Sequence, residues 1–272
     1  MKITGMFLLT MIFLIWSANG YGATDETLVL ALSFDDGQGK TAKDSSQYSF
    51  DGKISGGAKW VKGKFGKALE FDGVDGMVEV ADEKELLLLD GGTLMAWVFI
   101  KTGKGHPSWP RIGIKSNTNG GTNGYDFLFD RANNYATRFC VGGVCNSYQP
   151  VETENWHHVA VTFDGKNIFV YTDGDEVGKG VQAGPAIDTS GSPLHIGNGV
   201  NIDRPFHGML DEIRIWSRAL DEDEINWHME RGSKGKHENY FDFHLAFRHS
   251  FTLFRAYATG PRADRAAYGQ KA

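Results

Sequence analysis

The stretch FHGMLDEIRIWSRAL (206–220) alternates in the way that is typical of a β-strand with one buried face. Met209, Asp211 and two isoleucines share one face of that strand, which we take as the core face. Asp211 then lies at the edge of the core, where a buried carboxylate needs a cation or several hydrogen bonds. Glu212 and Arg214 share the other face, and we expect them to form a surface ion pair.

The sequence before this stretch repeats the pattern. From residue 27 to about 216, short β-like runs are separated by glycine-rich turns, and the chain's 35 glycines supply the positive-φ positions that such turns need. The expected strands are Leu28–Phe34, Lys67–Phe71, Met77–Val80, Thr93–Ile100, Arg111–Ser116, Tyr125–Asp130, Tyr135–Val141, Val144–Tyr148, Trp156–Asp164, Asn167–Thr172, Leu194–Ile196 and Leu210–Trp216. Strands and helices do not alternate, so the sequence predicts an all-β fold of two packed antiparallel sheets.

One short helix is expected after the last strand. Asp221 and Glu224 have the spacing of a capping box, and Gly232 is a typical stop. We therefore place the end of the domain at about residue 231.

The two ends of the chain differ from this body. Residues 1–22 have a lysine, an apolar run from Met6 to Trp16 and then small residues, which is the pattern of a signal peptide, with an uncleaved anchor as the alternative. No other stretch is apolar and long enough to cross a membrane, so we expect a secreted or periplasmic protein without membrane insertion after cleavage. Residues 232–272 form a basic, aromatic tail, either poorly ordered or packed on the domain, with a partner-binding arm as the alternative. The chain's net charge of −6 argues against a nucleic-acid partner.

Two cysteines occur in the stretch RFCVGGVCNS. If Gly142 and Gly143 form a two-residue hairpin turn, Cys140 faces Cys145 across the hairpin. Opposed Cα atoms at such a position lie about 4.5 Å apart, which a disulfide accepts. The sequence therefore predicts a Cys140–Cys145 disulfide in an oxidising compartment.

Three segments carry a family resemblance: GKFGKALEFDGVDGMVEV (63–80), NWHHVAVTFDGKNIFVYTDGDEVG (155–178) and FHGMLDEIRIWSRALDEDEI (206–225). In this order they are similar to the laminin-G-like jelly-roll domains of the concanavalin A-like lectin/glucanase superfamily. The resemblance covers residues 27–231 and implies a two-sheet jelly roll with neighbouring first and last strands. It also implies a bound calcium in many members, often a short disulfide, and most often a non-catalytic module that binds glycans or proteins.

The carboxylates argue against an enzyme of the glucanase type. Glucanases of this fold carry Glu-x-Asp-x-x-Glu on one strand, and no such motif occurs here. Asp211 and Glu212 are neighbours, so on a regular strand they point to opposite faces and cannot flank one glycosidic bond. We therefore expect no catalysis, with a glycoside hydrolase as the less favoured alternative.

A structural calcium ion is the cofactor that the resemblance implies. If the first and last strands pair, Asp35 and Asp44 lie beside Asp211, and these oxygen donors suit calcium when backbone carbonyls and water complete the set. The alternative is that Asp211 accepts hydrogen bonds from backbone amides of a neighbouring loop, without a metal.

Two loops hold the candidate ligand-binding residues. Trp109 and Arg111, in HPSWPR (106–111), combine an aromatic face with hydrogen-bond donors. The second loop has a polar cluster of four residues: Asn198, Asn201, Arg204 and His207. The alternative for either group is an exposed loop that binds no ligand. The favoured function is an exported recognition module whose partner is a carbohydrate, and the alternative is a module for adhesion or for binding an extracellular protein.

Overall fold

A computed structural model describes residues 25–103, 107–120, 122–182 and 191–232. The predicted signal peptide (1–22) and nearly all of the predicted tail (233–272) lie outside the described residues. In chain order the strands are β1 (Leu28–Leu32), β2 (Thr41–Ala42), β3 (Gly52–Ser55), β4 (Lys59–Lys62), β5 (Lys67–Asp72), β6 (Met77–Val80), β7 (Gly92–Ile100), β8 (Arg111–Ser116), β9 (Gly124–Asp130), β10 (Ala136–Val141), β11 (Val144–Ser147), β12 (Trp156–Phe163), β13 (Asn167–Thr172), β14 (Asp175–Gln182), β15 (Leu194–Ile196) and β16 (His207–Trp216). Short 3-10 helices span Lys84–Leu86 and Arg131–Asn133.

The strands form two antiparallel sheets, as predicted. Sheet A has the order β14-β13-β12-β7-β16-β5-β4, with β1 also paired to β16. Sheet B has the order β11-β10-β9-β8-β15-β6-β3-β2. The architecture is a jelly-roll sandwich, and the prediction that the first and last strands pair antiparallel is confirmed, with Leu28 opposite Trp216 and Leu32 opposite Ile213.

The core fills the space between the sheets because apolar residues alternate along each strand. Leu94, Ala96 and Val98 of β7 belong to the same buried cluster as Phe127 and Phe139 of sheet B. Part of the outer face of sheet A is buried as well, because the helix α1 (Glu222–Arg231) packs its apolar side on it.

The helix begins and ends where the sequence predicts. The Asp221 side chain accepts a hydrogen bond from the Glu224 amide, the Glu224 side chain accepts one from the Asp221 amide, and Gly232 follows the last turn. In the described part of the chain, no helix has the length and apolar character needed to cross a membrane.

The sequence did not predict four of the strands: β2, β3, β4 and β14. β2 has only two residues and β3 and β4 four each, which is too short for a recognisable alternation, and β4 has an exposed lysine at each end. The glycines of β14 interrupt the pattern there.

A β-bulge in β16 changes the environment of Glu212 and Arg214. Asp211 is opposite Trp97 and Arg214 opposite Met95, so two residues of β16 face a single residue of β7. Glu212 takes a left-handed backbone conformation at φ 50°. The predicted ion pair forms at 2.7 Å, but both side chains are buried, so its predicted surface location is wrong. The reason is that the sequence does not show α1 covering this face.

Candidate functional site

A groove of about 210 Å³ lies on the outer face of sheet B. Its floor comes from three neighbouring strands, because the strand register places Arg111 (β8) and Arg138 (β10) on either side of Leu128 (β9). Phe127 and Phe139 are in the core, so the residues next to them along their strands point outward.

The Cys140–Cys145 disulfide continues this floor towards the hairpin of β10 and β11. The two cysteines are directly opposite each other, and Gly142 and Gly143 both have positive φ, as the hairpin turn requires. The predicted disulfide is therefore confirmed, and it fixes the register of β10 beside the groove.

Three further segments form the walls of the groove. Trp109 comes from the segment before β8, Asn119 and Gly120 from the loop after β8, and Arg204 from the loop after β15. The structure thus brings Trp109, Arg111 and Arg204, three of the predicted ligand-binding residues, to one place.

Asp126 holds the floor and one wall together. Its Oδ2 accepts a hydrogen bond from Arg111 Nη2 at 2.8 Å and another from the Gly120 amide at 2.9 Å. Burial raises the pKa of Asp126 to about 6, and the Arg111 charge opposes this rise. Because the Arg111 guanidinium stays protonated, the two groups form a buried ion pair at neutral pH.

Asn198 is fully buried, and it positions Arg204 instead of lining the groove. Its Oδ1 accepts hydrogen bonds from the amides of Gly199 at 2.9 Å and Arg204 at 3.2 Å. The Arg204 carbonyl in turn accepts a hydrogen bond from the Arg111 amide at 3.2 Å. This chain of bonds fixes the backbone of the second loop against the start of β8.

The ring of Trp109 carries a cation on one face. The Arg138 guanidinium carbon lies 4.8 Å from the ring centroid, and Arg138 Nη1 donates a hydrogen bond to Ser147 Oγ at 2.7 Å. Trp109 thus supports an arginine through a cation–π contact. The sequence predicts that the Trp109 ring contacts a ligand, and it does not indicate the contact of the ring with Arg138.

Asn201 and His207, the other two predicted ligand-binding residues, do not line the groove. Asn201 is exposed in the second loop. His207 was expected in a loop, but it begins β16 and pairs there with Asp72 of β5.

Asp211 binds the turn that joins β4 and β5, and Asp35 binds the first residue of β5. Asp211 Oδ2 accepts a hydrogen bond from the Phe65 amide at 3.0 Å, and Asp35 Oδ1 accepts one from the Lys67 amide at 3.1 Å. Burial raises the pKa of Asp211 to about 8, and the nearby charge of Asp35 contributes to the rise. The contact of Asp211 is thus the predicted alternative, a hydrogen bond from a neighbouring loop.

Asp44 has a different set of partners. Its two oxygens accept hydrogen bonds from the amides of Ala31, Ser46 and Phe50 and from the Ser46 hydroxyl, at 2.6–2.9 Å. Within the described ranges, no three His, Cys, Asp or Glu side chains are grouped to hold a metal ion. Most of the oxygens of Asp35, Asp44 and Asp211 accept hydrogen bonds from backbone amides, and nothing in the structure tests whether the three carboxylates also bind calcium. Calcium binding stays a prediction.

A second and larger concavity, of about 500 Å³, lies between Thr102, residues 134–135 and residues 150–153. Its described lining contains Glu152 and Tyr135 but no arginine, lysine or tryptophan. The groove on sheet B is the stronger candidate because it collects three of the predicted ligand-binding residues.

The sequence did not predict three residues of the groove region: Asn119, Arg138 and Asp126. Each belongs to the groove only through the pairing of distant strands or the path of a loop. One signal was present: Arg138 and Cys140 are two residues apart, so they share a face of β10.

A comparison with protein-family models matches residues 72–226, more than half of the chain, to a laminin G model described as "Concanavalin A-like lectin/glucanases superfamily". A search of curated proteins gives no match.

Several solved structures have a similar fold. Domain 4 of the GH43 extracellular arabinanase AbnA from Geobacillus stearothermophilus, solved with arabinotriose, is 20% identical with a TM-score of 0.57, over 74% of this chain and 97% of that one. The binding domain of botulinum neurotoxin DC with SialylT is 13% identical with a TM-score of 0.58, over 75% of this chain and 51% of that one. The same toxin domain with rat synaptotagmin II is 14% identical with a TM-score of 0.55, over 75% and 51%. This chain thus spans about half the length of the toxin domains.

Proposed function

Because the chain belongs to the concanavalin A-like lectin/glucanase superfamily, we propose that it is an exported, non-catalytic module that binds carbohydrate in the groove on sheet B. The observation that carries the proposal is the convergence of Trp109, Asn119 and three arginines in one concave site. Ligand sites of this kind combine an apolar surface with a few fixed polar groups.

The polar groups of the groove suit sugar hydroxyls. Asn119 Oδ1, Arg111 Nε and Arg204 Nε are buried and have no hydrogen-bond partner among the described residues. Buried polar groups are normally paired, and a hydroxyl both donates and accepts. The side chains that line the groove thus have hydrogen-bonding capacity that the described residues do not use, beside the ring of Trp109.

The arrangement of carboxylates favours binding over hydrolysis. A retaining glycosidase needs two carboxylates about 5–5.5 Å apart at the bond that it cleaves. No carboxylate belongs to the described lining of the groove, and Asp126 beneath it is in an ion pair with Arg111.

Two further observations support export and the ligand class. A disulfide such as Cys140–Cys145 persists in oxidising compartments. Two of the similar structures hold a saccharide, arabinotriose in one and SialylT in the other. We carry the class of ligand over to this chain, but not the identity of either sugar.

A glycan array tests the proposal, followed by calorimetric titration of the best ligand. We expect saturable binding that Trp109→Ala weakens at least tenfold, because the change removes the ring and the support of Arg138. The matched control is Trp156→Ala, which removes another half-buried tryptophan, on β12 of the other sheet.

Absence of binding across a broad array would overturn the proposal. Binding of a protein partner would then be the better-supported function, because a similar toxin domain was solved with rat synaptotagmin II. Equal loss of binding in the two tryptophan variants would also contradict the groove as the site.

A further inference from the structure

The groove on sheet B has a charge that differs from the rest of the chain. Its described lining contains Arg111, Arg138 and Arg204 and no carboxylate, although the whole chain carries a net charge of −6. Three described carboxylates close to it already have partners: Asp126 pairs with Arg111, Asp203 accepts hydrogen bonds from the Asn119 amide group at 3.0 and 3.1 Å, and Asp130 accepts them from Asn133 and Ser147.

Two of the three guanidiniums lack a counter-charge in direct contact. Neither Arg138 nor Arg204 is in an ion pair with any residue in the described part of the chain. Burial lowers the pKa of the Arg111 guanidinium, and the nearby positive charge of Arg204 also lowers it. Like charges held together in this way are stabilised by an anion placed between them.

Two of the three guanidiniums and the backbone of the third arginine are held in place before a ligand arrives. Arg111 is fixed by Asp126, Arg138 by the ring of Trp109 and by Ser147, and the Arg204 backbone by Asn198. The held guanidinium of Arg138 loses little side-chain entropy when it binds an oxyanion, whereas for Arg204 only the backbone is fixed.

The aromatic part of the groove points to the same conclusion. A neutral sugar usually stacks on an exposed aromatic face, but one face of Trp109 is occupied by Arg138 at 4.8 Å. The groups left for recognition are then mostly cationic donors, which form their strongest hydrogen bonds with charged acceptors.

We propose that the groove is specific for an acidic glycan, and that Arg138 and Arg204 bind its carboxylate or sulfate group. The inference rests on the proposed function, because it assigns the chemical class of the ligand to the same groove. Carboxylate and sulfate share the recognition chemistry, since both present several charged oxygens to a guanidinium.

The test is a binding assay with matched pairs of glycans. The acidic probes are 3′-sialyllactose, lactose 3′-sulfate and polygalacturonate, and the neutral partners are lactose and fully methyl-esterified polygalacturonate. We expect at least one acidic probe to bind at least tenfold more tightly than its neutral partner, and 0.5 M NaCl to weaken that binding. Comparison of the sialylated and sulfated lactoses shows which anion is preferred.

Variants link the preference to the groove. Arg204→Gln should lower the affinity for the acidic probe about tenfold or more, because it removes a charge-assisted hydrogen bond. Arg138→Gln should do the same, and it gives a second variant if the first does not fold, which a thermal melt checks. The control Arg231→Gln lies on α1, across the sandwich, and should leave the affinity unchanged.

The outcomes separate the two proposals. Equal binding of acidic and neutral partners, with loss in Trp109→Ala, overturns the acidic preference and leaves carbohydrate binding intact. Acidic binding that is equally lost in Arg231→Gln overturns the assignment to Arg138 and Arg204. No binding of any glycan, on the array or in this panel, overturns both proposals.

Discussion

Replacement of Asp44 by alanine should strongly destabilise the domain. Asp44 is 7% exposed, and it joins the loop after β2 to the first strand through the amides of Ala31, Ser46 and Phe50. Alanine leaves these donors without their acceptor, and the amides of Ala31 and Ser46 are in the buried part of the contact.

The magnitude follows from those two buried amides. A buried donor without a partner costs about 1–3 kcal/mol, so two of them give a loss of roughly 3 kcal/mol or more in the free energy of unfolding. For a domain of this size about 1 kcal/mol shifts the melting temperature by roughly 2–4 °C, so we expect a decrease of about 6–12 °C.

Urea unfolding and thermal melts, each with calcium and with a chelator, measure this loss. The control Asp36→Ala removes an exposed carboxylate that accepts one hydrogen bond, from the Lys43 amide at 2.9 Å, and we expect a change below about 0.5 kcal/mol. We expect the loss in Asp44→Ala to be the same in both buffers. A loss below about 1 kcal/mol, or one that appears only with calcium, would refute the assignment of Asp44 as a hydrogen-bond acceptor.

Three further predictions concern Asp211, the disulfide and the buried ion pair. Burial raises the pKa of Asp211 to about 8 from 3.8, so the native state holds its proton more tightly and stability falls as the pH rises from about 4 to 8. The melting temperature of Asp211→Asn should therefore exceed that of the wild type by more at pH 8 than at pH 4. A difference in melting temperature that does not change with pH would contradict this. Replacement of both Cys140 and Cys145 by alanine removes a disulfide between residues five positions apart. The free energy of unfolding in urea should fall by about 2 kcal/mol, and an unchanged value would show that the bond contributes little. Asp126→Asn leaves the Arg111 charge buried without its partner, and should cost about 3–5 kcal/mol in the same assay, whereas a loss below 1 kcal/mol would contradict a buried ion pair.

The sequence was sufficient to predict the sandwich, because the main strands alternate clearly and the helix has local start and stop signals. It was not sufficient for β16, where strict alternation placed Glu212 and Arg214 at the surface. The bulge at Glu212 requires a left-handed backbone at a non-glycine residue, and no local pattern indicates that conformation. The burial of the pair depends on α1, which packs back over the strand from a later part of the chain.

The groove was only partly predictable for a related reason. Trp109 and Arg111 are neighbours in sequence, so their combination of aromatic and cationic groups could be recognised directly. Arg138 and Asn119 reach the same site through strand register and loop path, which a single sequence does not specify. Asn198 was recognised as a polar loop residue, but its burial shows a structural role that composition does not distinguish from ligand binding.

The most direct test of the carbohydrate site is hydrogen–deuterium exchange with and without the tightest-binding glycan. A bound glycan should slow exchange in residues 117–120, in the loop of residues 198–206 and along β10, because these segments surround the groove. The second concavity, at residues 134–135 and 150–153, should show no change and serves as an internal control. Protection confined to that second concavity would contradict the account.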